Sequence, residues 1–175
     1  KAKNFSEFYK ILKMKALPGY NIGYADRNDT IFYISNGLLP KRAKGYDWEN
    51  VVPGNTRKTL WTTTYDIEEL PQVLQPSSGY VYNANHTPFR SSGQKDNPIQ
   101  ENFDEAMGFE TYDNNRSTRL KELIDQYDRL DYKDFKTIKY DHQYPNPYTF
   151  SWMNINYLDR LDSSLYPDIA VLIER

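Results

Sequence analysis

Between Asn36 and Ser77 no apolar period holds for more than a few residues, and Gly, Pro, Thr and Asn recur throughout. A stretch of that length without periodicity cannot be a helix or a run of paired strands, so it must cross a surface as long connections. Regular structure is therefore confined to what flanks it. Upstream, Asn4 with Glu7 three residues on has the spacing of a helix N-cap. Phe5, Phe8, Tyr9, Leu12 and Ala16 follow at helical intervals before Pro18-Gly19, which predicts a helix over 5–16. Tyr20, Ile22 and Tyr24 alternate with small or polar residues, and Thr30 to Ile34 follows the turn formers Asp26-Arg27-Asn28-Asp29, the pattern of a β-hairpin.

Within the long connection, Glu68-Glu69-Leu70 reads as one short helical turn, and after it Gly79-Tyr80-Val81-Tyr82-Asn83 reads as a strand. Leu120, Leu123, Ile124 and Tyr127 then mark an amphipathic helix. Phe135 and Ile138, and later Trp152, Ile155, Leu158 and Leu161, mark further helices. The expected class is α+β, one piece over 1–175, with mixed strands and loops to about residue 115 and a mainly helical part over about 116–175. The chain opens on Lys1 and stops at Arg175 inside an apolar run through Ile169, Leu172 and Ile173, so an excised internal piece of a longer protein is expected.

Composition excludes several classes. A net charge of −2 gives no surface for nucleic acid, and apolar runs such as Ile31-Phe32-Tyr33-Ile34 are far too short to cross a bilayer. With no cysteine there is neither a disulfide nor a thiol nucleophile, and the two histidines, His86 and His142, cannot complete a usual structural zinc site. From Asp26 onward the spacing of a calcium loop fails at Ile31 and at Gly37. Lys10, Lys13 and Lys15, and Lys41, Arg42 and Lys44, read as solvated faces, while Asp125, Asp128, Asp131 and Asp134 read as helix caps and solvent sides. With 16 tyrosines, 8 phenylalanines and 3 tryptophans, an aromatic platform for carbohydrate or peptide around Trp48 and Trp61 is a competing function.

Several motifs stand in a fixed order. They are Ala2-Lys3-Asn4-Phe5, Tyr24-Ala25-Asp26-Arg27-Asn28, Gly37 to Arg42, Gly45-Tyr46-Asp47-Trp48, Glu69-Leu70-Pro71-Gln72-Val73, and Pro76-Ser77-Ser78-Gly79-Tyr80-Val81-Tyr82-Asn83-Ala84-Asn85. From residue 2 to about residue 130 this order resembles the middle of the β chain of penicillin amidases and acyl-homoserine-lactone acylases, which are N-terminal nucleophile hydrolases. The resemblance implies part of an αββα core in an amidohydrolase matured by autoproteolysis. It also implies a role in antibiotic metabolism and a periplasmic or secreted location. The partners implied are the rest of the β chain, the α chain of the same precursor and a small N-acyl substrate, with no nucleic acid and no membrane.

The same resemblance implies roles for individual residues. In that family the serine at the start of the β chain attacks the amide carbonyl with its own α-amino group as base. That serine is expected outside this chain, which is then inactive alone. Asn85 takes the position of the oxyanion-hole donor, and Arg116, in Asn115-Arg116-Ser117-Thr118 before Leu120, takes that of an active-site arginine able to orient the Asn85 amide or a substrate carboxylate. Asn83 is expected on the same strand end as Asn85 with both amides facing one way, and Arg119 competes with Arg116. A plainer account remains open, in which Asn83, Asn85, His86 and Thr87 only satisfy turn backbone. No cofactor is expected. A structural calcium is possible in the parent, near Trp48 and Asp104 or Glu105, but no metal is expected in this piece. The polar stretch over 90–105 is longer than in familiar relatives and leaves acyl specificity unread. A degenerate, inactive acylase scaffold is the third reading.

Overall fold

A computed structural model describes residues 1–148 and 160–174. The expected helix through Trp152, Ile155 and Leu158 lies outside the described residues. The chain folds as two units, Lys1–Asp113 and Asn114–Arg175.

In the first unit, helix α1 (Phe5–Leu12) starts where the Asn4 side chain accepts the Glu7 N–H at 3.0 Å. It ends at Leu12, short of the expected residue 16, because Lys15 turns to a left-handed φ of 52° and its ammonium is held by Thr64, Tyr65 and Asp66. Strands β1 (Tyr20–Ala25) and β2 (Ile31–Asn36) form the expected antiparallel hairpin, in register from Tyr20 opposite Asn36 to Ala25 opposite Ile31. The Asp26 carboxylate sets the turn by accepting the Asn28 and Thr30 N–H groups and the Tyr24 hydroxyl.

A third strand, β3 (Gln72–Leu74), pairs antiparallel with the other side of β2, so the sheet order is β1-β2-β3. The sequence carries no sign of it, because it is three residues long and defined only by its partner. The turn expected at Glu68-Glu69-Leu70 is present as a 3-10 turn over Ile67–Glu69, where the Glu69 side chain accepts the Asp66 N–H.

The apolar face of α1 covers the sheet. Leu12, Phe32, Ile34, Tyr65, Ile67, Leu70 and Met107 form the buried core, with Phe5, Phe8, Tyr9, Ile22 and Tyr24 packed against it. Phe32, wholly buried, takes the edges of the Phe5 and Tyr9 rings at 5.0 and 5.8 Å. Such edge-to-face pairs add about 0.5–1.5 kcal/mol to area burial. Ion pairs of Lys13 with Glu68, Lys15 with Asp66 and Lys41 with Glu69 tie these loops to the turn, so three of the basic positions read as solvated faces are paired.

In the second unit, helix α2 (Asn115–Ile124) and helix α3 (Tyr132–Lys139) each begin with a reciprocal capping box, from Asn114 with Ser117 and from Asp131 with Asp134. Asp131 and Asp134 are therefore caps, as their spacing predicts. A short helix α4 (Ala170–Ile173) follows two 3-10 turns near the end.

Candidate functional site

The Pro76–Asn97 segment is laced by side chains instead of a strand ladder. Both Asp96 carboxylate oxygens are engaged, one by the Ser77 N–H and hydroxyl at 2.8 and 2.9 Å, the other by the Ser78 N–H at 2.9 Å. Those backbone donors favour the charged form and pull the Asp96 carboxyl down to about 2. A relay of hydrogen bonds runs from the Gly93 N–H to the Ser78 hydroxyl, on to the Ser92 hydroxyl and then to the Tyr80 carbonyl. Gly93 has no room for a side chain: a Cβ there would stand 2.5 Å from the Ser78 Cβ. The expected strand at Gly79–Asn83 is absent. Val81 makes a single bridge to Ser92, because these side-chain bonds satisfy the backbone that a ladder would have used.

Asn83 and Asn85 consequently do not sit on a strand end facing one way. Asn83 Oδ1 accepts the Asn85 N–H at 3.1 Å, an Asx turn, and Asn85 adopts a left-handed φ of 55°, a conformation Asn enters more readily than most residues. Asn85 is exposed at the apex of this turn, while His86, Thr87 and Pro88 after it are buried. His86 Nδ1 accepts the Ala84 N–H at 3.2 Å, its Nε2 pairs with the Arg90 carbonyl at 3.0 Å, and its ring stacks on Tyr82 at 4.8 Å. The Thr87 hydroxyl accepts the Phe89 N–H at 3.3 Å, opening a 3-10 turn over Pro88–Arg90. Asn83 Nδ2 is buried without a well-formed partner among the described residues. The Asn83 side chain approaches the buried Tyr33 hydroxyl, which desolvation pushes up to about 12 while Ser35 and Asn83 oppose the rise.

Arg116 occupies the second position of α2, in the other unit, with its side chain exposed. The capping box fixes the start of that helix: Ser117 accepts from the Asn114 N–H at 3.0 Å and the Asn114 side chain accepts from the Ser117 N–H at 3.0 Å. Arg119 is committed elsewhere, its guanidinium bonded to Asp141 at 2.9 and 3.0 Å and to Gln143 at 3.2 Å.

Trp48, Asp104 and Glu105 line one cleft of about 740 Å3 together with Arg42 and Asp47. Asp104 is occupied locally, accepting the Ala106 N–H and the Tyr65 hydroxyl. No three of the described His, Asp and Glu residues gather closely enough to hold a metal. Tyr46, Trp48 and Trp61 cluster as well, but successive rings are tilted by 59° and 49° and Arg42 lies over Trp61. They form no coplanar platform of the kind that stacks on sugars.

One small antiparallel sheet covered by a capped helix, with further helices downstream, is an α+β arrangement. The structure is similar to a thermostable penicillin G acylase from Alcaligenes faecalis, with a TM-score of 0.59 at 22% identity, over 79% of this chain and 23% of that one. In sequence the chain is 36% identical to penicillin G acylase from Escherichia coli over 130 residues, 74% of this chain and 14% of that protein. The family model for penicillin amidase matches residues 1–155. The chain belongs to the penicillin amidase family. It spans about a seventh of the length of the Escherichia coli relative.

Proposed function

We propose that the protein to which this chain belongs hydrolyses a linear amide or N-acyl bond, and that this chain contributes part of an αββα core, an oxyanion-hole donor in Asn85 and a substrate-orienting arginine in Arg116. The observation that carries the reading is the Asn85 turn: an exposed side-chain amide held at a left-handed apex by Asn83 and His86, inside the segment that matches the family. An oxyanion donor must be fixed in place before charge develops on the carbonyl oxygen, and a laced turn does that better than a free loop.

In the proposed reaction a serine hydroxyl from another part of the protein adds to the amide carbonyl carbon while its proton passes to an amine base. The C–N bond then breaks as the amine leaves with that proton, and water hydrolyses the acyl ester. Asn85 Nδ2 donates to the tetrahedral oxygen. Arg116 carries a fixed charge and orients groups without exchanging protons. The nucleophile is proposed to lie outside these residues, so the chain alone is inactive and works with the rest of its β chain and an α chain. By the same family reading the protein acts in the periplasm or outside the cell.

The test is the amide-hydrolysis rate of the full-length precursor beside its Asn85→Ala variant, with mass measurement of any self-cleavage. The expected loss of turnover is on the order of 100- to 1000-fold. A precursor that neither splits nor hydrolyses N-acyl substrates rejects this reading in favour of a degenerate scaffold.

A further inference from the structure

His86 is buried, with 4% of its surface exposed, lies outside the hydrophobic core cluster, and belongs to no group of three or more His, Asp and Glu among the described residues. Both ring nitrogens are spent on backbone, one on each side of Asn85. Because Nδ1 accepts the Ala84 N–H, the ring hydrogen sits on Nε2 and is donated to the Arg90 carbonyl. The imidazole therefore spans the turn as a rigid strut from residue 84 to residue 90. Its tilt is fixed by Tyr82, whose ring lies 24° from parallel with it.

A left-handed Asn85 needs such support. Asn enters that region more readily than most residues, but a single, fixed orientation there needs neighbours that hold the backbone on both sides. The Asn83 Asx bond fixes the Asn85 N–H, and the His86 bonds fix the peptides before and after the turn. Thr87 N–H donates to the Tyr112 carbonyl at 3.4 Å and anchors the far side.

We propose that His86 is a positioning residue for the Asn85 amide: by bridging the Ala84 N–H and the Arg90 carbonyl, its ring sets where the amide of residue 85 is presented to the substrate. The proposal rests on the reading of Asn85 as the oxyanion donor. His86 touches no reacting atom and acts only through the turn.

The test is a cycle of variants in the full-length precursor: Asn85→Ala, His86→Ala, the double variant, and His86→Asn, whose amide oxygen reaches the place of Nδ1. Turnover, KM, self-cleavage and thermal midpoint are read for each on a chromogenic N-acyl anilide. His86→Ala is expected to lower kcat by about 30- to 100-fold with KM within about threefold, the scale of a displacement near 1 Å at the reacting centre. His86→Asn is expected to restore kcat to within about fivefold of wild type, and His86→Ala to change kcat by less than about threefold once Asn85 is Ala. If His86→Ala does not fold, His86→Leu, which keeps bulk at the site but neither hydrogen bond, takes its place in the cycle.

A full Asn85→Ala loss with wild-type kcat in the His86 variants overturns the positioning role alone. So does a His86 loss that multiplies undiminished onto that of Asn85→Ala, or one that follows only the thermal midpoint. A precursor indifferent to Asn85→Ala overturns the oxyanion reading and this proposal together.

Discussion

Asn83 and Asn85, two residues apart, are joined by a hydrogen bond from the Asn85 N–H to the Asn83 Oδ1 at 3.1 Å, so the first amide shapes the turn that the second caps. The two side chains have different work, although a strand here would have pointed both amides the same way. Replacing Asn83 with Ala removes that bond, worth about 1 kcal/mol, and relaxes the turn. Asn83→Ala in the full-length precursor is expected to lower kcat on the order of tenfold, against the far larger loss for Asn85→Ala, with steady-state kinetics as the check. Equal losses from both substitutions would show that Asn83 also meets the substrate.

Asp96 gives a pH dependence of known sign. Its carboxyl is held at about 2 by the Ser77 and Ser78 donors, below its ordinary value of 3.8. The folded pKa is the lower one, so the clamp contributes fully above about pH 4 and is lost as pH falls towards about 2. Asp96→Asn keeps at most part of the acceptor set. The variant is expected to melt lower than wild type at neutral pH and to converge with it near pH 2, measured as thermal midpoints across that range. Parallel curves with a constant gap would show that the charge of Asp96 is not what holds the turn.

The end of α1 offers a stability test. The Lys15 ammonium donates to the Thr64 hydroxyl, the Tyr65 carbonyl and the Asp66 carboxylate at 3.1, 2.8 and 3.0 Å, from a backbone at φ 52°. Lys15→Ala and Lys15→Gly lose the same bonds, but only Ala keeps a Cβ in the left-handed region. Both are expected to be less stable than wild type, with Lys15→Gly the better of the two by about 0.5–1 kcal/mol in urea unfolding. The reverse order would place the chain's turning point at another residue.

Whatever depends on neighbours in sequence is legible without the fold. The β1–β2 hairpin follows from alternation around Asp26 to Asp29, and α1 and α2 from their apolar spacing, because those signals are local. The stop of α1 falls four residues before its apolar spacing ends, since the bonds that end it come from Thr64 to Asp66, far along the chain. Strand β3 is invisible for the same reason. At the candidate site the segment is identifiable from the order of its motifs, but its conformation is not: Gly79 to Asn83 has the residues of a strand, and Asp96, Ser78 and Ser92 divert its backbone into a turn. In the sequence His86 reads as an incomplete metal ligand or as one more turn residue, because nothing beside it reveals that the Arg90 carbonyl will meet its ring.

Gly93 has a consequence for anyone who would exchange this region between relatives. Its lack of a side chain, the Ser78–Ser92 hydroxyl pair and the Asp96 carboxylate are fitted to one another, so none of them transplants alone. The piece that carries these fitted parts together runs from Ser77 to Asn97, where Asn97 Oδ1 accepts the Ser92 N–H, and it still needs the Tyr112 carbonyl of its host for the Thr87 N–H. A chimera cut inside those limits would carry the letters of the Asn85 turn without its geometry, whereas one cut at them would move an entire loop architecture, apex included, into a new host.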